Sequence, residues 1–334
     1  MSMRAIDYVL LPYYALQILS GHKAFDTPVL GSERLNRRGL HVWRVKATNA
    51  LAQRRRERLK HLVPVQDRTD FERDGFVEKR NLLKPEDHAA LLAELKALSA
   101  PAREMVEGNA VTRRIDVTPE LLRTLPALRR LLDTPEWGGL LRYVGGFDIE
   151  PLVSIQTIFG MPPTDRKAID PQTRLHADTF HPTMKAWYFL EDVPVEQGPF
   201  TYVPGSHALT PRRLAWQKRK SVLASTKGPK GGAFRVPDAD LKRMRLPPRR
   251  FFAVPGNTLV VGDTFGLHAR GPSQQPSIRV EVYASIRPNP WNPFASLDTA
   301  WLGRLYDRMS ARLGGGERMQ EVGLVNPWQK RAEG

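Results

Sequence analysis

From about residue 147 onward the chain is cut into short stretches rich in β-branched and aromatic residues, each bounded by turn formers. Leu152–Phe159, Met184–Leu190, Phe200–Val203, Thr258–Val261 and Val280–Ile286 read as strands. Pro162-Pro163, Gln197-Gly198-Pro199, Pro204-Gly205-Ser206, Pro255-Gly256-Asn257 and Gly271-Pro272 separate them. A parallel sheet would need a crossover, usually helical, between successive strands, and no such alternation is seen. The expected fold is therefore mainly β with flanking helices, around a sandwich, jelly-roll or cupin-like core.

Helical signals lie on either side. Leu51–Leu62 is a basic helical run. Pro85 followed by Glu86 and Asp87 opens a helix whose apolar stripe is Leu91, Leu92, Leu95 and Leu98. Thr118 caps the stretch Pro119 to Leu132, which Pro126 must kink or divide. Trp301, Leu302, Leu305, Tyr306, Met309 and Leu313 trace another helical face, ending at Gly314. The expected division is a basic arm with an apolar first segment over 1–66, the β domain over 67–295 with a basic lid or insertion at 205–250, and a C-terminal helix and tail over 296–334.

The 334 residues are 41% apolar, enough for a large core. There is no cysteine, which excludes disulfides, thiolate metal sites and a thiol nucleophile. Any metal must be held by His, Asp and Glu. The net charge of +16 is concentrated: residues 1–65 carry twelve basic and four acidic residues, and residues 205–250 carry thirteen and two. Such runs are either solvated faces or the footprint of an anionic partner. The longest apolar stretch, Tyr8–Leu19, falls short of the roughly 20 residues of a membrane span and lacks a signal-peptide cleavage pattern. Its bulky residues must lie against something, the protein's own core being expected ahead of an anionic membrane. The expected location is cytoplasmic, peripheral at the inner face of the membrane if residues 1–65 take the second course.

His176-Ala177-Asp178 is the first chemical signal. On a strand, residues two apart share a face, so imidazole and carboxylate can converge on one ion. His268 supplies a second imidazole after the Pro255–Asp263 strand and turn. Two His and one carboxylate occupy one face of an octahedral ion and leave three positions open, as suits Fe(II) that must take up a chelating acid and dioxygen. Arg279 opens the next strand, where Glu281, Tyr283 and Ser285 share its face. Arginine is the side chain suited to a bidentate grip on a carboxylate.

These stretches, in this order, resemble the phytanoyl-CoA dioxygenase family of Fe(II)/2-oxoglutarate oxygenases. Phe71-Glu72-Arg73-Asp74-Gly75-Phe76-Val77 resembles its opening strand, His176-Ala177-Asp178 its HxD motif, Gln197 through Pro204-Gly205-Ser206-His207 its PGSH hairpin, and Gly262-Asp263 through His268 to Arg279 its distal histidine and arginine. The resemblance spans about residues 67–290. It implies a double-stranded β-helix in which His176, Asp178 and His268 hold iron, Arg279 pairs with the distal carboxylate of 2-oxoglutarate, and Gln156 touches the co-substrate. The implied reaction is hydroxylation of an unactivated C–H of a small or lipid-like metabolite, anionic on the charge argument, consuming dioxygen and releasing succinate and CO2. Arg270 stands where the family often has a small polar residue. With His181 and Trp187 it is a candidate substrate contact, each against a plain structural role. His207, in the hairpin turn, is expected to be structural or exposed. The lid is expected to line the site with Arg212, Arg213, Lys218 and Arg219.

Two other functions compete. One is an oxygenase or binder acting on nucleic acid, motivated by the charge; few aromatics interleave the 205–250 segment, so base stacking has little support and nucleic acid is not the expected partner. The other is a non-catalytic cupin-like barrel, against which the intact triad and Arg279 weigh.

Overall fold

In the computed structural model, residues 10–163, 169–296 and 319–330 are described. Eleven strands form two facing antiparallel sheets. The larger has the order β1 (Phe76–Arg80), β8 (Thr258–Asp263), β5 (Met184–Phe189), β10 (Ser277–Ile286), β4 (Leu152–Gly160), β3 (Ala110–Asp116), β2 (Ala100–Glu107), β11 (Gln320–Val325). The smaller has the order β7 (Arg250–Phe251), β6 (Phe200–Tyr202), β9 (His268–Arg270). This is the expected β core with flanking helices, its two sheets opposed as in a jelly roll.

Strand alternation divides the large sheet cleanly. Val280, Val282, Ala284 and Ile286 of β10 share the outer core with Ile155, Ala186, Tyr188, Leu259 and Val261, joined by Leu91, Leu95, Leu128, Leu131, Leu140 and Val144 of the helices Pro85–Ala97, Pro126–Leu132 and Pro135–Gly145. The opposite face sends Trp187, Phe189, Val260 and Tyr283 into a second core with Phe200, Tyr202 and Phe252 of the small sheet. Each fully buried large apolar side chain stabilises the fold by about 1.5–3 kcal/mol. The site lies at one end of this second layer.

Several elements go beyond the sequence reading. Phe71 belongs to the helix Val65–Asp74, so the opening strand begins only at Phe76. Gly75 between them has φ of +85°, and a Cβ there would meet His207 Nδ1 at 2.4 Å, so the turn needs glycine. The hairpin β2–β3 and strand β11 were hidden by their polar faces: Arg103, Glu104, Arg113 and Arg114 interrupt the apolar pattern. Pro126 divides the 119–132 stretch into Pro119–Arg123 and Pro126–Leu132. The expected helix over Trp301–Leu313 lies outside the described residues.

The arm is built on the helix Leu40–Leu59. Its buried positions are His41, Arg44, Val45, Thr48, Ala52, Arg55, Arg56 and Leu59. That spacing is helical, but five of the eight are charged or polar. Arg44 donates to the carbonyls of Ile18, Ser20 and His22. Arg55 donates to those of Gly146 and Asn292. The apolar segment before it does not reach the core: the helix Leu11–Leu16 buries no residue, and Leu16 is 70% exposed. The expectation of core packing therefore fails for residues 10–19, which Arg44 holds by their backbone rather than their side chains. The 205–250 segment forms two helices, Pro211–Thr226 and Asp238–Met244. They contribute Trp216, Ala224, Leu241 and Met244 to a third apolar cluster, shared with Phe25, Leu175 and Phe234. Among the described residues no helix is long and apolar enough to cross a membrane.

Candidate metal centre

The two loops that carry the chemistry are fastened to each other. His176 and His268 exchange both backbone hydrogen bonds at 3.0 Å. The Asp178 amide donates to Thr264 O, and the Thr264 amide to Thr183 O. Asp263 then grips both loops through one carboxylate oxygen, which accepts from the amides of Thr183 and Phe265 at 3.2 and 3.0 Å. Its other oxygen takes Arg56 Nη2 of the arm helix at 2.9 Å. Ser206 of the PGSH turn accepts from the Leu267 amide, next to His268. Residues 92 positions apart in sequence are thus held in register by backbone pairing, with one buried ion pair as the clamp.

Within that frame His176, Asp178 and His268 are all buried, and their ligating atoms lie within 4.8 Å of one another. Asp178 Oδ1 is 3.6 Å from His176 Nε2 and 3.5 Å from His268 Nε2. Each Nδ1 donates to a carbonyl, that of Arg174 for His176 and that of Gly266 for His268, which turns both Nε2 atoms towards Asp178. His268 Nε2 is buried without a hydrogen-bond partner, a costly arrangement unless something else occupies its lone pair. Two imidazole nitrogens and one carboxylate oxygen on one side of a small space fit an octahedral ion with an open face. Burial, followed by the neighbouring His268, pushes His176 down to about 3, so it is neutral and able to ligate at physiological pH. Burial alone would push the Asp178 carboxyl up, but Lys185, His268 and Arg287 hold it well below the usual carboxylate range.

Arg279 is buried on the inner face of β10. It donates Nη1 to Gly198 O at 2.5 Å and Nε to Glu281 Oε2 at 3.1 Å. Burial lowers its pKa and Glu281 opposes that shift. Gln156 faces Glu281 across the β4–β10 pair and donates to it at 2.6 Å, while its own oxygen accepts from Arg114. An Arg114–Gln156–Glu281–Arg279 chain results. Arg270, two residues beyond His268 on β9, pairs with Asp170 at 2.7 Å and donates to Thr112.

The remaining candidates separate. His181 is buried, donates Nδ1 to Pro182 O and packs edge-on against Phe180; burial pushes it down to about 3. Trp187 stacks on Phe200 at 4.0 Å, and Phe200 in turn lies 6.1 Å from His268, so one ring separates the indole from the ligand set. His207 is buried against Phe71, as a structural residue would be. The expected lid lining is corrected. Arg213 is buried and donates to Phe265 O, Arg219 pairs with Asp240, and Lys218 lines an outer groove beside Trp43. Residues 234–236 of that segment run beside the ligand loop by their backbone, Arg235 as the bridge partner of His176.

The sequence reading missed the cations around Asp178. Lys185 Nζ lies 2.7 Å and Arg287 Nη2 3.3 Å from Asp178 Oδ2, and Lys23 Nζ donates to the Asp178 carbonyl at 2.9 Å. Lys185 could have been found, because it shares strand parity with Trp187. Lys23, 155 positions from Asp178, gave no signal.

Residues 71–236 match the family described as Phytanoyl-CoA dioxygenase (PhyH); the match includes the HxD pair and the PGSH turn and ends before His268 and Arg279. No curated protein matches the chain. Solved structures similar to it include the epimerase SnoN in complex with Fe3+, alpha ketoglutarate and nogalamycin RO (21% identity, 66% of this chain and 81% of that one, TM-score 0.43). Others are the alpha ketoglutarate dependent carbocyclase SnoK (19%, 79% and 96%, 0.42) and HygX from Streptomyces hygroscopicus with nickel and 2-oxoglutarate bound (17%, 67% and 86%, 0.41). The stretch that carries the HxD pair is thus similar to the phytanoyl-CoA dioxygenase family.

Proposed function

We propose that this enzyme hydroxylates an unactivated C–H of a small or lipid-like metabolite. The observation that carries the reading is the buried ligand set, with His268 Nε2 lacking any protein partner. His176, Asp178 and His268 would hold Fe(II), which when bound supplies the oxidising chemistry driven by 2-oxoglutarate and dioxygen. Arg279, already held by Gly198 O and Glu281, would receive the distal carboxylate of the keto acid. Gln156 supports Glu281 and so positions Arg279. Arg270, paired with Asp170, lies near the same arginine. Trp187, Phe200 and Tyr283 close the space between the sheets to water. The test is succinate release from 2-oxoglutarate with a substrate panel. His176→Ala and chelation should each bring turnover to background, and the product should carry one added hydroxyl. Activity untouched by either change refutes the metal centre, and a product without added oxygen refutes hydroxylation alone.

We also infer peripheral contact with an anionic membrane. Leu10, Leu11, Leu16 and Leu19 are exposed on the first segment, and Trp43 is half exposed on the helix Leu40–Leu59, in a groove that Arg38 and Lys46 also line. Flotation with phosphatidylserine liposomes should lose the protein when Leu16 and Leu19 are changed to Ser; equal flotation refutes the contact.

A further inference from the structure

The inner face of β10 has a cationic group at each end. Arg279 stands at one end. Six residues on, roughly 20 Å along the strand, Ser285 pairs with Lys185 of β5, and Arg287 follows just beyond. Tyr283 and Trp187 lie opposite each other between these ends. The keto acid accounts for the Arg279 end. Nothing in that chemistry requires a second cluster beyond the metal ligands, yet Lys185, Arg287 and Lys23 all converge on Asp178.

The contacts there are unequal. Lys185 is mostly buried and close, at 2.7 Å, and suits a lasting partner that leaves Asp178 Oδ1 turned to the histidines. Arg287 is half exposed and sits at 3.3 Å, a loose contact for a guanidinium. Lys185 and Arg287 share one carboxylate oxygen, and a guanidinium presents a fork that one shared oxygen cannot fill. Lys23 is brought to the same place by the arm, where Phe25 pairs with Lys230 of the insertion. Arg235 of that insertion bridges His176 through the backbone. Asp178 is thus met by cations from three separate stretches of chain.

We propose that Arg287, backed by Lys185 and Lys23, receives an oxyanion of the primary substrate, a phosphate or a carboxylate, on the side of the metal centre away from Arg279. This rests on the reading of His176, Asp178 and His268 as the metal ligands. Arg287 leaves its loose contact with Asp178 and forks onto the anion, and Lys185 stays on Asp178. The substrate C–H is then held over the open face by its charged end.

The experiment uses the full chain and two probes that differ only in the anion, phenyl phosphate and benzoate. Calorimetry first measures Mn(II) binding, which tests the ligand set alone. The probes are then titrated with and without Mn(II) and 2-oxoglutarate. At least one should bind saturably, weaken by about tenfold or more in Arg287→Met, and be largely retained in Arg287→Lys; the tighter probe identifies the anion. Circular dichroism and Mn(II) affinity should be unchanged in both variants. If neither probe binds, or if Arg287→Met binds as the native chain does, the proposal is overturned, the latter result placing the anion on the metal or elsewhere. Absence of Mn(II) binding refutes the ligand set, while the metal-free titrations still decide the anion site.

Discussion

The two basic segments, 1–65 and 205–250, carry comparable surplus charge in sequence and meet different fates. In the arm the arginines go inside. Arg44, Arg55 and Arg56 are at most 3% exposed, and each caps backbone carbonyls of turns or of the C-terminal end of the helix Pro135–Gly145. In the insertion Arg213 is buried in this way; Arg219, Lys220 and Arg243 gather around Asp240 near the surface. The difference lies in what the segments cover. The arm helix lies over turns and a helix end whose carbonyls have no ladder partner, and a guanidinium can satisfy several of them at once. Charge density alone therefore says little about whether a cation faces a ligand, water or the protein's own backbone.

Breaking the clamp between arm and core should give the largest effect. Arg56→Met leaves the buried Asp263 without its cation and should cost about 3–5 kcal/mol in urea unfolding; a loss under about 1 kcal/mol would make the arm an appendage rather than part of the site.

Acid should come next. Burial pushes His41 down to about 4 and His207 likewise to about 4. A base with a depressed folded pKa binds its proton more readily when unfolded. Stability is therefore full above the unfolded value of about 6.5 and falls as pH drops towards 4, by on the order of 3 kcal/mol for a shift of this size. His41→Leu should flatten the slope of the urea midpoint across that window. An unchanged slope would show that the arm's buried polar stripe does not contribute.

Within the insertion, Asp240 accepts Trp216 Nε1 at 2.8 Å and pairs with Arg219. Asp240→Asn should cost about 1–3 kcal/mol, less than the Arg56 change, and a larger loss would reverse the contrast between the segments. Smallest of all, Arg37→Ala removes an exposed helical pair with Glu33 and should move the midpoint by less than about 0.5 kcal/mol.

Much of the site was legible because its signals are local. His176 and Asp178 share a face by strand parity, and Gly75, Gly198 and Gly205 mark turns with positive φ. The hairpin β2–β3 was missed because its alternation is carried by arginine and glutamate, which read as surface. The polar face of Leu40–Leu59 was missed for the same reason: His41, Arg44 and Arg55 occupy core positions by spacing but not by hydropathy. Glu281 was placed on the face of Arg279, yet its contact with Gln156 needed the pairing of β4 with β10.

By itself the sequence determined the β architecture, the two histidines and carboxylate suited to a ferrous ion, and the arginine suited to a diacid, because strand period and side-chain chemistry act over a few residues. Only the tertiary structure decided that the arm clamps the ligand loops through Arg56 and Asp263, and that Lys23, Lys185 and Arg287 surround Asp178. Those contacts join residues more than a hundred positions apart, with Lys185 the exception, and they depend on which carbonyls and carboxylates folding leaves without partners, a quantity no local pattern encodes.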